Sequence, residues 1–176
     1  MENIIKLAEG MNGISDEELG VVLDKTLAGA GKPLKKVLLL PPDFTRMHSG
    51  AGKITAMLYS RLKDTAKVDV MPALGTHEPM TKEQTDIFFE GVVPFESIIP
   101  HRWREDVVKV GEVPANYIRE ISEGLIDEPI PIEMNKRLLD PSYDLILSIG
   151  QVVPHEVVGM ANYTKNVLVG CGGKDT

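Results

Sequence analysis

The sequence is poor in the features that mark a membrane protein, a nucleic-acid-binding protein or a secreted protein. It has one cysteine, Cys171, so it cannot form an internal disulfide, which fits a reducing compartment. No apolar run approaches the ~20 residues of a membrane-spanning helix, and the N-terminus lacks the apolar segment of a signal peptide. Aromatic residues are 5% of the chain, the formal charge is −7, and no basic cluster occurs. We therefore expect a cytoplasmic protein without a membrane or nucleic-acid partner.

The overall composition is that of an ordinary globular domain. The chain has 176 residues, of which 43% are apolar and 26% charged, which is enough for one sizeable hydrophobic core. Its negative charge weakly repels anions at long range. Any binding of an anionic ligand must therefore depend on individual Arg or Lys side chains or on local backbone N–H groups.

Helix and strand signals alternate along the chain. Helices are predicted over residues 15–29 and 51–63 and after Thr81, and buried strands over residues 36–40, 67–74 and 145–149. Ser15 with Glu18, and Thr81 with Gln84, have the spacing of helix-capping boxes. Residues 112–142 contain four prolines and are interpreted as short extended pieces around a helical turn. The pattern predicts a single α/β domain over residues 1–176, a three-layer sandwich with a mostly parallel sheet.

Polar side chains follow three of the predicted strands. The segment from Asp43 to Arg46, which includes Thr45, follows the first; His77 follows the second; and His155 follows the third. Each residue has an ordinary structural explanation, such as a helix cap, a surface ion pair or a hydrogen-bonded loop histidine. Ligands of open α/β sheets bind at the carboxyl ends of the strands. Because polar residues follow three strands in the same way, a binding site at this edge of the sheet is favoured.

The stretch from Asp144 to Thr176 adds further candidates. A second short apolar run, residues 166–169, leads into the glycine-rich run of residues 170–173, and Lys165 precedes it. Backbone N–H groups of that glycine run could hold a phosphate. Gly172 is the residue of this run that we predict to bind the ligand. No Walker motif and no G-x-G-x-x-G fingerprint occurs, so the usual ATP and NAD sites are not predicted.

The two other histidines are weaker candidates for the site. We expect His48 to face water. His101 is expected either to stack on Trp103 or to line the cleft. Cys171 is expected to be a small packed residue among glycines, since nothing near it in sequence has the spacing of a metal site.

Taken in order, these motifs resemble a known family. Asp43-x-Thr45-Arg46, Gly75-Thr76-His77, Pro154-His155 and the ten-residue step to Lys165 are similar to the N-terminal domain of nickel-pincer-dependent lactate racemases. The similarity extends from about residue 37 to 173. Gly-Thr-His is common by chance, whereas the order of the motifs and the Pro-His…Lys spacing before a glycine-rich turn are more specific.

The resemblance implies a role for each matched position. Lys165 would be joined through a thioamide to the pincer mononucleotide, which holds nickel through two sulfurs and a ring carbon. His77 and His155 would be the acid/base catalysts, and Arg46 would hold the substrate carboxylate beside Asp43. Thr45 and Gly172 are predicted to contact the cofactor. These residue types suit the chemistry, since imidazole exchanges protons near neutral pH and guanidinium binds both oxygens of a carboxylate.

Some positions depart from the family pattern. Residues 159–164 replace a glycine-serine-rich stretch, and Glu78 stands where arginine is frequent, so the expected substrate is a small 2-hydroxy acid other than lactate. No histidine follows Lys165 to supply the family's protein ligand to nickel. We therefore expect the chain to be the N-terminal part of a longer two-domain protein that depends on cofactor maturation proteins, and to be inactive alone.

Two hypotheses follow. In the first, the chain is the catalytic domain of a 2-hydroxy-acid racemase or epimerase. In the second, it is a non-catalytic α/β module that binds an anion or a nucleotide. A continuous helix from His155 to Lys165 would separate their backbones by roughly 15 Å. The first hypothesis therefore requires a bend near Gly159 or Asn162, whereas the second places Lys165 away from the histidines.

Overall fold

The computed structural model describes residues 2–176 of the chain. These residues contain five α-helices and seven strands, joined by loops and 3₁₀ turns. The helices are α1 (Asp16–Ala28), α2 (Ala51–Leu62), α3 (Lys82–Phe88), α4 (Ala115–Ile121) and α5 (Thr164–Leu168). The strands are β1 (Lys36–Leu40), β2 (Lys67–Val70), β3 (Val107–Val113), β4 (Ile130–Asn135), β5 (Leu145–Ser148), β6 (Pro154–His155) and β7 (Gly159–Met160).

A parallel sheet of three strands is the centre of the fold. Its order is β2-β1-β5, with Val37 paired to both Val68 and Leu145. A central strand that is buried on both faces reads as a continuous apolar run, which is why the sequence Val-Leu-Leu-Leu forms β1. The predicted α/β class with a parallel sheet is confirmed.

Alternate residues of β1 build two cores. Val37 and Leu39 face α1, α2 and α3 and pack with apolar side chains that include Leu23, Leu58, Val70 and Phe89. The opposite face carries Leu38 and Leu40, which pack with Met71, Tyr143 and Cys171. Loops and a 3₁₀ turn at Lys136–Leu139 cover this second face. The domain therefore has three layers, with the sheet in the middle.

Both predicted capping boxes are present. The Ser15 hydroxyl accepts from the Glu18 amide and the Glu18 carboxylate accepts from the Ser15 amide; Thr81 and Gln84 do the same at α3. These reciprocal bonds satisfy backbone donors at each helix start. None of the helices in residues 2–176 has the length and apolar character needed to cross a membrane.

Three regions add to the sequence predictions or differ from them. Residues 107–135 form one unit, in which β3 pairs antiparallel with β4 and α4 lies between them in the chain; the extended pieces and the helical turn were predicted, but the pairing was not. The second strand ends at Val70 rather than at residue 74. The apolar run of residues 166–169, to which no element was assigned from the sequence, lies largely in helix α5.

Candidate functional site

A cleft of about 470 Å³ lies at the carboxyl edge of the parallel sheet. Its walls come from the segments that follow β1, β2 and β5. Of the seven residues predicted to form the site, six line this cleft: Asp43, Thr45, Arg46, His77, His155 and Lys165. The volume is within the range of about 300–1,000 Å³ that is usual for small-molecule sites.

Asp43 caps the 3₁₀ turn Phe44–Ser49 and is also part of the cleft. Its Oδ1 accepts hydrogen bonds from the Thr45 amide (3.0 Å) and the Thr45 hydroxyl (2.5 Å). The residue is 6% exposed. The capping and functional interpretations of Asp43 and Thr45 are therefore compatible, because the cap fixes a carboxylate whose second oxygen remains available.

That second oxygen contacts His77. Oδ2 of Asp43 lies 2.5 Å from Nδ1 of His77, a residue 34 positions away in sequence. Burial by itself raises the pKa of Asp43, but the hydrogen bonds from Thr45 and His77 outweigh it and bring the pKa below its usual value. An ionised carboxylate only accepts, so Nδ1 of His77 carries the proton and donates. In the neutral ring, Nε2 then has a free lone pair.

His155 is held differently. It lies in the hairpin of β6 and β7, and its Nδ1 accepts from the backbone N–H groups of Val157 (3.1 Å) and Val158 (3.3 Å). Its side chain is 19% exposed, against 56% for His77. The turn of the hairpin thus fixes the imidazole ring through its backbone.

Lys165 reaches the same cleft because the chain bends twice after His155. Gly159 (φ 78°) closes the hairpin, and Asn162 (φ 56°) and Tyr163 (φ 55°) both adopt left-handed backbone conformations before α5 begins. The Asn162 side chain accepts from the Ser148 hydroxyl (3.1 Å) and donates to the carbonyl of Gly150 (3.0 Å), which ties the second bend to the end of β5. The bend required by the catalytic hypothesis is therefore present at both predicted positions.

Two cations line the cleft without an acidic partner. Within residues 2–176, neither Arg46 nor Lys165 has a carboxylate oxygen within the 4.0 Å of an ion pair. The pKa of the exposed Glu156 is lowered by a hydrogen bond from its own backbone N–H, and by the charges of His155, Arg46 and Lys165. This local positive potential suits an anionic ligand despite the chain's net charge of −7.

Gly172 does not lie in the cleft, and we correct its predicted role. Its N–H donates to the carbonyl of Val169 (3.2 Å), and the N–H of Gly170 donates to Lys165 (2.8 Å). A Cβ at Gly172 would lie 2.2 Å from the carbonyl oxygen of Leu168, so the glycine is needed for a close turn. Because these two N–H groups already have partners inside the protein, they are not available to a phosphate.

Of the other two histidines, His48 agrees with its prediction and His101 does not. His48 is exposed, as predicted, and it also lines the cleft. His101 is 2% exposed and lies outside the cleft. Its Nε2 donates to the carbonyl of Gly172 (2.9 Å) and its Nδ1 accepts from the Asn135 side chain (2.9 Å). Trp103 contacts Arg104, whose guanidinium lies 3.4 Å from the ring centroid.

One asparagine that shapes the site was not among the predicted residues. The buried Asn166 donates to the carbonyl of Leu40 (3.2 Å) and to the Ser148 hydroxyl (3.2 Å). Asn166 therefore joins α5 to the ends of both β1 and β5. A polar residue directly after Lys165 in an otherwise apolar run was the signal that could have identified it.

The chain resembles proteins of known family and structure. The family described as the lactate racemase N-terminal domain matches residues 21–176. A crystal structure of a protein from Thermotoga maritima superimposes with a TM-score of 0.78 at 27% sequence identity. That match covers 92% of this chain and 39% of the other, so this chain spans well under half of the length of that protein. No curated protein matches the chain.

Proposed function

Because the chain belongs to the family of lactate racemase N-terminal domains, we propose that it is the catalytic and cofactor-bearing domain of a racemase or epimerase of a small 2-hydroxy acid. The observation that supports this most is that two histidines, an arginine and a lysine line one cleft. The alternative, a non-catalytic module that binds an anion or a nucleotide, predicts a lysine far from the histidines. The shared cleft favours the catalytic hypothesis.

The proposed cofactor is the nickel-pincer nucleotide, attached covalently to Lys165. The chain offers a primary amine that has no acidic partner in residues 2–176 and that faces a cleft of about 470 Å³. These features fit a tethered mononucleotide. When bound, the cofactor would supply a hydride acceptor for the substrate carbon. Within residues 2–176 no group of three or more His, Cys, Asp or Glu side chains is placed to hold a metal ion.

The substrate's charge would be met by Arg46. Its guanidinium can bind both oxygens of a carboxylate, and in residues 2–176 no carboxylate oxygen lies within 4.0 Å of it. The imidazoles of His77 and His155 would handle the proton of the substrate hydroxyl. In this scheme, the chain's residues bind and orient the substrate and move its proton, and the cofactor carries the redox step.

We also propose that the chain works as part of a longer protein. It spans 39% of the matched Thermotoga maritima chain, which leaves room for a second domain that completes the site. The hairpin that carries His155 exposes apolar side chains, among them Val157 (80% exposed) and Met160 (45% exposed). Maturation proteins that build and insert the cofactor are the other proposed partners.

The attachment of the cofactor can be tested by intact mass. A longer polypeptide that includes the second domain would be co-expressed with a pincer-nucleotide maturation system and nickel. We expect a mass increase that maps to Lys165, disappears in Lys165→Ala and persists in the control Lys174→Ala, an exposed lysine outside the cleft. Racemisation of a panel of 2-hydroxy acids would follow. An unmodified Lys165 in cells that load a known racemase would refute the proposal and favour the binding module.

A further inference from the structure

We propose that the cleft selects 2-hydroxy acids with one carboxylate and a polar, uncharged tail, and that Glu156 is the residue that disfavours a second carboxylate. This substrate class rests on the proposed function, because it depends on the attachment of a cofactor to Lys165. The charges and positions that lead to it belong to the chain's own side chains.

The cleft contains three charged side chains that remain available to a ligand. Arg46 and Lys165 are cations and Glu156 is an anion, and all three line the cleft. The fourth charged residue of the lining, Asp43, is paired with His77. Before any modification, the cleft therefore offers a ligand two cations and one anion.

Glu156 keeps its negative charge in this position. Its Oε2 lies 3.7 Å from Nδ1 of His155, and within residues 2–176 no Lys or Arg nitrogen lies within 4.0 Å of its carboxylate. The hydrogen bond from its own backbone N–H and the charge of His155 hold the pKa of Glu156 below its ordinary value, so it is ionised near neutral pH. The side chain is 83% exposed, so solvent weakens its effect on a nearby ligand.

Attachment of the cofactor would change the balance of charge. A lysine amine is a cation near neutral pH, whereas the nitrogen of a thioamide carries no charge. Among the described residues that line the cleft, Arg46 would then be the one available cation, and it would bind the carboxylate next to the substrate's hydroxyl carbon. A second carboxylate would have no cation of its own and would be repelled by Glu156. The loaded cleft therefore suits monocarboxylates.

Other side chains of the lining favour a hydroxylated tail over an apolar one. Thr76 and Gln151 are exposed and offer a hydroxyl and an amide, and the Glu156 carboxylate accepts hydrogen bonds. A hydroxyl on the substrate can donate to the carboxylate and accept from the amide, whereas a methyl group can do neither. Val153 and Val169, which also line the cleft, would contact the carbon atoms of such a tail.

Three four-carbon acids isolate the chemistry of the tail. 2-Hydroxybutyrate, 2,4-dihydroxybutyrate and malate share the 2-hydroxy carboxylate and end in a methyl, a hydroxymethyl and a carboxylate group. Their binding to the full chain without cofactor would be measured by NMR titration of backbone amides, at low salt and about pH 8, where an ordinary imidazole is neutral. Lys165→Gln reproduces an uncharged nitrogen, and Lys165→Met is a second neutral variant should the first not fold.

The binding constants should depend on the charge of residue 165. In Lys165→Gln we expect 2,4-dihydroxybutyrate to bind about 3- to 10-fold more tightly than malate, the size expected of one exposed like-charge contact. The ratio should approach one at about 1 M salt, where exposed charges are screened. In the parent chain, where Lys165 is a cation, malate should bind at least as tightly as 2,4-dihydroxybutyrate. The same preference in parent and variant would contradict the role of the lysine charge.

The Glu156→Gln change, added to Lys165→Gln, tests the excluding residue. We expect it to remove the disadvantage of malate, whereas the matched control Glu120→Gln, on an exposed glutamate outside the cleft, should keep it. Equal effects of the two glutamate changes would overturn the role of Glu156. Binding of 2-hydroxybutyrate as tight as that of 2,4-dihydroxybutyrate would overturn the preference for a polar tail.

The loaded full-length enzyme separates the substrate class from the proposed function. We expect kcat/KM to be highest for 2,4-dihydroxybutyrate and lowest for malate, and Glu156→Gln to raise the ratio of malate to 2-hydroxybutyrate by about 3- to 10-fold. A parent enzyme that prefers malate would refute the substrate class and leave the proposed function standing. No racemisation of any acid in the panel would refute the proposed function, and the binding constants would still decide the role of Glu156.

Discussion

The amide of Gly75 donates a 2.8 Å hydrogen bond to the carbonyl oxygen of Gly170. Gly75 begins the segment that carries His77, and Gly170 ends the turn that follows Lys165. This single backbone bond therefore joins two walls of the cleft that are far apart in sequence. Changes at either glycine are expected to affect both the stability of the domain and the geometry of the site.

Gly170→Ala is expected to lower the free energy of unfolding by about 1–3 kcal/mol, the usual cost of inserting a methyl group into a packed region. The added Cβ would lie 2.7 Å from the Cβ of Ala73 and 2.8 Å from the carbonyl oxygen of Asn166. Chemical denaturation measures the loss. The matched control is Gly111→Ala, where a Cβ has no atom within 4 Å and where we expect less than about 0.5 kcal/mol. Equal losses in both variants would contradict the packing argument.

Substitutions of Asn162 are expected to separate the effect of its side chain from that of its backbone. Asn162→Gly loses the bonds to Ser148 and Gly150, which costs about 1–2 kcal/mol, but tolerates the φ of 56°. Asn162→Ala loses the same bonds and adds about 1–2 kcal/mol for a left-handed alanine. Thermal and chemical unfolding should therefore rank alanine as the less stable variant. The opposite order would mean that the turn relaxes when the side chain is removed.

Asp106 is expected to make stability fall in acid. Hydrogen bonds from Arg102 and Lys136 lower the pKa of Asp106 to about 2. This pKa lies below the value of about 3.9 in the unfolded chain. The contribution of Asp106 to the free energy of unfolding is therefore complete above about pH 4 and is lost as the pH falls toward 2. We expect Asp106→Asn to be less stable by about 1 kcal/mol at pH 7 and to show a flatter decline between about pH 4 and 2. Asp64→Asn, on an exposed aspartate, should reproduce the parent curve.

His101 is expected to affect stability at a higher pH. Burial lowers its pKa, although the hydrogen bond to Gly172 and the charge of Asp106 oppose this. As the pH falls, the unfolded chain therefore binds a proton at His101 before the folded chain does. The contribution of His101 to the free energy of unfolding is complete above about pH 6.5 and is lost as the pH falls toward its lower pKa in the folded state.

The variant His101→Leu leaves Asn135 and Gly172 without their partner, which costs about 1–3 kcal/mol at pH 7.5. The difference in the free energy of unfolding between parent and variant should become smaller as the pH falls below about 6.5. Urea denaturation at several pH values measures this difference, with the exposed His48→Gln as the control. A gap that is constant with pH would show that His101 does not titrate in this range.

Local sequence patterns predicted the elements that depend on local interactions. The capping boxes of Ser15 and Thr81 and the apolar run of β1 are examples, because each is specified by residues within a few positions. The polar residues after the strands were also predicted to meet, since parallel strands bring their carboxyl ends to one edge. The pairing of β3 with β4 depends on contacts across about twenty residues, and the proline-rich sequence between them does not reveal it.

The features near Lys165 that the sequence did not reveal have the same origin. Residues 166–169 are too short and too apolar for periodicity to assign them to a strand or a helix, and the buried bonds of Asn166 to Leu40 and Ser148 are made only in the folded domain. Gly172 looked like part of an anion-binding loop because glycine permits such loops. In the structure it permits a close turn instead. The role of His101 could not be read from sequence because Gly172 lies 71 positions away from it.

The order of the strands implies an order of assembly. β1 and β2 are consecutive strands joined through α2, and the Asp43–His77 pair lies just beyond their carboxyl ends, so this half of the cleft closes over a shorter stretch of chain than the pairing of β1 with β5. β5, which also pairs with β1, begins only at Leu145, far beyond the end of β2 at Val70, and it brings the hairpin and Lys165 with it. During synthesis on the ribosome, the wall that carries Asp43 and His77 would therefore fold first and the wall that carries His155 and Lys165 last. Under the proposed function, the cofactor would be attached to Lys165 after the opposite wall of the cleft is already in place.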